Sequence, residues 1–112
     1  MKISPIKLAL FCLVVCTSFG QTQKEIYKQS IQAYQNKNYP QFLQLTQELD
    51  NIRPSHPTYT FNLACAYALN GKTNEALSVL EKCILMNNTV VFETENDLAS
   101  LKSAAGYSNL LE

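Results

Sequence analysis

Displaced by 34 residues, the chain lies over itself. Phe42 then falls on Ala76, Leu43 on Leu77, Leu45 on Val79, Leu49 on Cys83 and Ile52 on Met86, and the turn Lys37-Asn38 falls on Gly71-Lys72. A period of this length belongs to arrays of paired antiparallel helices. One pair cannot bury its apolar face alone, so it stacks on the next.

Local signals place the helix ends. Thr22-x-x-Glu25 and Thr94-x-x-Asp97 have the spacing of a capping box, in which a hydroxyl and a carboxylate satisfy backbone N–H groups left over at a helix start. Asn70-Gly71 and Pro54-Ser55-His56-Pro57 break the helical pattern. Pro57 suits a first helical turn, where its missing N–H is no loss, and Gly71 suits the left-handed conformation after a helix end. The spacing predicts helices near 22–36, 39–52, 57–70, 73–86, 95–102 and 105–111, with no strand-like alternation. The expected fold is all-α: an α-solenoid of two antiparallel helix-pair repeats, about 23–56 and 57–90, closed by a C-terminal capping element over 91–112.

Residues 57–90 carry a recognisable signature. Thr60, Leu63, Ala64, Tyr67, Ala76, Leu80 and Asn88 occupy the positions of W-x2-L-G-x2-Y…A-x3-F…P, and the string Asn62-Leu63-Ala64-Cys65-Ala66-Tyr67-Ala68-Leu69-Asn70-Gly71 fits it closely. This segment resembles a tetratricopeptide repeat. Thr60 replaces the large aromatic and Asn88 the terminal Pro. The anchors have a packing logic: Ala64 and Ala76 are small where the paired helices cross, while Tyr67 and Leu80 fill the space beside them. Residues 23–56 form a weaker copy, in which Ser30 and Pro54 fit. There Phe42 stands where Ala is usual and Ala33 where Tyr is usual, with Tyr34 and Tyr39 offered as the missing aromatic volume.

The ends of the chain read differently. Met1–Gly20 shows a basic start (Lys2, Lys7), a nine-residue apolar run Leu8–Cys16 and small residues at Ser18 and Gly20. That is the pattern of a signal peptide cleaved before Gln21, with an apolar run too short to span a bilayer. Lipidation at Cys16 is the alternative, disfavoured by bulky Val15 where a small residue is wanted. Either reading sends the chain out of the cytoplasm, to a bacterial periplasm or cell envelope. Phe92, Leu98, Leu101, Tyr107, Leu110 and Leu111 make an apolar set expected to lie as a lid over 83–86. The segment Asn96-Asp97-Leu98-Ala99-Ser100-Leu101-Lys102 with Tyr107 resembles the tail that closes such repeats in exported bacterial proteins. In some of these a helical module precedes a β-propeller similar to gluconolactonases. No propeller is present in this sequence, so that activity attaches to no residue here. The apolar pair Leu110-Leu111 either packs back on the lid or leads into something longer.

Composition then narrows function. The formal net charge is +0, which argues against a polybasic nucleic-acid or anionic-lipid binder. With Lys2 and Lys7 set aside in the leader, seven basic residues face nine acidic ones. Of four cysteines, Cys12 and Cys16 fall in the leader. Cys65 and Cys83 remain on different helix faces, expected as buried thiols rather than a bridge. His56, the single histidine, lies between prolines as an exposed loop residue. Glu93, Glu95 and Asp97 read as a solvated helix start. No catalytic, cofactor-binding or metal-ligating set assembles, and no enzyme activity, cofactor or metal is expected.

The expected role is binding. First helices of such pairs line a groove suited to an extended peptide or a partner helix. In this register the groove carries Tyr27, Ile31 and Tyr34 from the first unit and Phe61, Asn62, Cys65 and Leu69 from the second. The resemblance also implies a basic clamp for peptide carboxylates, but Tyr27 and Ile31 stand where Lys and Asn are needed, and only Asn62 fits. The groove is expected to prefer apolar contacts to charge. A protein or peptide partner follows, with self-association as a homodimer or docking on a further domain as the alternative.

Overall fold

A computed structural model describes residues 22–86, 95–104, 106, 107 and 110. Four α-helices follow one another: α1 (Gln23–Gln35), α2 (Tyr39–Ile52), α3 (Pro57–Leu69) and α4 (Thr73–Leu85). A 3₁₀ helix, Asn96–Leu101, comes after them. Each α-helix packs on the next, and the 3₁₀ helix returns onto α3 and α4. The chain is an all-α helical repeat. The expected leader over 1–20, the expected cleavage point before Gln21 and Asn88, expected to end the second repeat, lie outside the described residues. So does most of the segment 105–111.

The two helix pairs repeat bond for bond. At the end of α1 the Asn38 amide donates to the Ala33 carbonyl at 2.9 Å, and Lys37 to Tyr34 at 3.0 Å. At the end of α3 the Lys72 amide donates to Tyr67 at 2.9 Å, and Gly71 to Ala68 at 3.1 Å. Both are Schellman turns, and both need one residue in the left-handed region. That residue is Gly71 in the second pair, at φ +73°, and Lys37 in the first, at φ +58°. Burial repeats as well: Ser30 and Ala64, Phe42 and Ala76, Thr46 and Leu80, Leu49 and Cys83 are all buried at the same spacing.

The helix starts follow capping chemistry. Thr22 Oγ1 accepts the Glu25 amide at 3.2 Å, and Asn38 Oδ1 accepts that of Gln41 at 3.4 Å. At α3 the cap is His56, whose Nδ1 accepts the Tyr59 amide at 3.4 Å while its ring stacks on Tyr59 with centroids 4.0 Å apart. The exposed loop histidine of the sequence reading is instead half-buried and structural, because Pro57 opens the helix immediately after it.

Helix α3 is the centre of the molecule. Tyr59, Leu63 and Ala66 face a first core with Ile26, Ala33, Phe42, Leu43, Leu45 and Leu49. Ala64, Cys65 and Ala68 face a second core with Ala76, Leu80, Leu98, Leu101 and Tyr107. Half-buried Tyr67 and Val79 touch both cores. A helix with apolar neighbours on both sides cannot be amphipathic, which is why the run Phe61–Leu69 carries one amide, Asn62, and no charge.

The capping element differs from its expected form. The helix predicted over 95–102 is a 3₁₀ helix, with Glu95 at its cap position making no side-chain cap bond. Thr94, the expected cap, lies outside the described residues. Leu98, Leu101 and Tyr107 share one core with Ala64, Cys65, Ala68, Ala76 and Leu80, while Cys83 is buried and Leu85 exposed. The small side chains of Ala64, Ala68 and Ala76 leave a hollow between α3 and α4 that leucines can fill.

Candidate functional site

Ile31 and Tyr34 lie one turn apart on α1. Phe61, Asn62 and Cys65 lie one turn apart on α3. Because the two helices hold equivalent places in successive pairs, these side chains come to one side of the array. They line a cavity of about 230 Å³, together with Phe42 from α2 and Glu95 and Asp97 from the capping element. Five of the seven residues expected in the groove thus share one site.

Two do not. Tyr27 packs its ring beside Tyr59, centroids 5.7 Å apart, and lines a shallower depression on α1 with Lys24, Lys28, Ile31 and Gln32. The Tyr59 hydroxyl there accepts from Gln23 Nε2 at 2.6 Å, so this aromatic pair fastens the start of α1 to the start of α3. Leu69 turns away from the cavity and packs on the first core.

The expectation of an uncharged groove is corrected by the same geometry. Glu95 and Asp97, read in the sequence as a solvated helix start, are half-buried on the cavity wall. The Tyr34 hydroxyl donates to Asp97 Oδ2 at 2.7 Å. This bond joins residues 63 positions apart and brings the capping element onto α1 as well as α3. The Tyr34 hydroxyl is pushed up to about 12, first by its hydrogen bond to Asp97, then by burial and by the negative charges of Asp97 and Glu95. Tyr34 is therefore a neutral donor at physiological pH.

Apart from Asn62, Glu95 and Asp97, the lining is aromatic or apolar. Tyr34 and Phe42 rings tilt at 56° with centroids 5.2 Å apart. Cys65 forms the floor at 4% exposure. Its thiol is held well above the usual range, mainly by burial and then by the fields of Asp97 and Glu95. Cys83, also free, is pushed up to about 11 by burial, with Lys82 opposing. Burial thus favours the protonated thiol at both positions. Among the described residues no three or more His, Cys, Asp and Glu side chains converge as a metal site. No described helix is long and apolar enough to cross a membrane.

The chain matches no family model, no curated protein and no solved structure with which it was compared. What the site can do therefore rests on its own geometry. A volume of about 230 Å³ is below that of a site for a drug-sized molecule, roughly 300–1,000 Å³.

The residues that the sequence reading left out of the groove were Phe42, Glu95 and Asp97. The acidic cluster was visible as a cluster. Its place beside Tyr34 has no local signature, because nothing near residue 97 records where the returning chain will land.

Proposed function

We propose that the chain is an exported, tetratricopeptide-like adaptor that binds a protein or peptide through the α1–α3 face and performs no chemistry of its own. The observation that supports this reading is the shared cavity of Ile31, Tyr34, Phe61, Asn62 and Cys65, which joins both repeats in one site. Its aromatic and aliphatic walls with one amide suit an extended segment: the walls take a side chain, and Asn62 can bond a peptide backbone. The leader-like pattern of Met1–Gly20 supports export to a bacterial periplasm or envelope.

The test is affinity capture from an envelope extract with the wild-type chain, Phe61→Asp, Ile31→Asp and a control at exposed Glu48, Glu48→Lys, which does not line the cavity. Loss of the same partner in the first two variants and its retention in the control is the expected result. Equal recovery by all four would exclude the cavity as the binding face.

A second reading has its own observation. The depression on α1, about 550 Å³ and lined by Thr22, Tyr27, Lys28 and Ile31, is larger and more open, as befits the flat contact of another helix pair. Self-association there predicts a concentration-dependent dimer in light scattering that Tyr27→Asp dissociates.

A further inference from the structure

We propose that the cavity between α1, α3 and the capping element takes a cationic side chain, a lysine or arginine presented by an extended partner segment. The proposal rests on the adaptor reading and gives it a chemical class of ligand.

Three features of the cavity converge on a cation. Among the described residues, its lining includes two carboxylates, Glu95 and Asp97, and no Lys or Arg. Both charges act within the cavity: each contributes to raising the Tyr34 hydroxyl on its wall and the Cys65 thiol on its floor. A ligand of opposite charge gains from that field, and an anion entering it is repelled.

The aromatic walls add a second attraction. Tyr34, Phe42 and Phe61 line the cavity, with the first two rings tilted against each other. Ring faces carry partial negative charge, so a desolvated ammonium or guanidinium is drawn to them, while the aliphatic stem of the same side chain packs on apolar surface. A long cationic side chain needs this combination of apolar walls and a carboxylate end. A purely apolar side chain would desolvate Glu95 and Asp97 further without supplying a countercharge.

Hydrogen bonding sets the orientation. Tyr34 donates to one oxygen of Asp97, which fixes the carboxylate against the α1 wall. With its proton held by that bond, Tyr34 supplies a rigid wall rather than a competing charge. Asn62, half-buried at the rim, remains for the backbone of the segment that carries the cation.

The experiment uses the full chain, labelled with ¹⁵N, and three peptides: Ac-Ala-Leu-Lys-Leu-Ala-amide and its norleucine and glutamate counterparts. Amide shifts are followed at Tyr34, Phe61, Asn62 and Asp97. The lysine peptide is expected to shift these signals, with the norleucine peptide at least about tenfold weaker and the glutamate peptide weaker still. Glu95→Gln and the double variant Glu95→Gln/Asp97→Asn remove charge while keeping shape, and the amide oxygen that the second substitution introduces can still accept from Tyr34. Both should lose the preference for lysine over norleucine. Glu95→Gln alone serves if the double variant does not fold. Norleucine binding as tightly as lysine, or a lysine preference that survives Glu95→Gln, overturns the cation while leaving the peptide-binding face. No shift at the cavity with any of the three peptides overturns both.

Discussion

The Tyr34 hydroxyl donates to Asp97 Oδ2 across 63 residues of sequence, and this single bond ties the capping element to the first helix of the array. The main packing of the 3₁₀ helix is on α3 and α4. A short helix of six residues has too little intrinsic stability to stand alone, so its contacts decide whether it stays in place.

Tyr34→Phe removes the donor and keeps the ring. A hydrogen bond to a carboxylate on a half-exposed wall is expected to contribute about 1 kcal/mol after solvent screening. The loss should concentrate locally: amide exchange at Leu98 and Leu101 accelerates more than exchange in the first core. The same variant isolates a pH effect. Because the folded Tyr34 value lies near 12 against 10 for the free group, its contribution is complete below pH 10 and is lost as pH rises through 12. Wild type and Tyr34→Phe should therefore converge in thermal stability across that window.

The two Schellman turns make opposite predictions from identical geometry. Lys37 holds φ +58° with a side chain that destabilises this conformation, so Lys37→Gly is expected to stabilise by about 1 kcal/mol. Gly71→Ala should destabilise by about the same amount, and by backbone strain alone, because an added Cβ meets nothing within 4 Å. Thermal melts of the two variants check both signs. On a domain of this size each shift is roughly 5 °C.

Repeat one and repeat two exchange volume. Ala33 and Phe42 stand at the places of Tyr67 and Ala76, and both lie in the first core. Phe42→Ala is expected to cost about 3 kcal/mol through the cavity it leaves, and Ala33→Tyr about 1–3 kcal/mol through overpacking. Together they restore the volume pattern of the second repeat, so the double variant should cost less than the sum by about 1 kcal/mol or more. Denaturant melts of all four chains measure that coupling. Additive costs would mean that the two positions do not share space.

Thr60 is buried, and its hydroxyl has no hydrogen-bond partner among the described residues, whereas Thr46 donates to the Phe42 and Leu43 carbonyls at 2.9 Å each. An orphaned hydroxyl costs free energy that a methyl group of the same shape does not. Thr60→Val is therefore expected to stabilise by about 1 kcal/mol. Thr46→Val should be neutral or destabilising, since it discards a satisfied hydroxyl. Chemical denaturation of the pair separates the two cases.

How far the sequence reaches can be judged at particular residues. The 34-residue period, the helix ends at Gly71 and Pro57 and the small residues Ala64 and Ala76 are local matters of propensity, backbone conformation and contact between sequential helices. They were legible, and with them the side of the array that gathers Ile31, Tyr34, Phe61, Asn62 and Cys65. His56 as a cap was not legible, because histidine is a rare acceptor at that position and its use depends on stacking with Tyr59.

The amino-acid sequence by itself determined the all-α repeat, because period, caps and turns act over neighbouring residues and each agrees with the others. Only the tertiary structure decided the character of the cavity. Where Glu95 and Asp97 land depends on a chain that leaves α4 and returns over α3, a long-range packing outcome that no local pattern encodes. That return changed an apolar groove into one with a carboxylate wall.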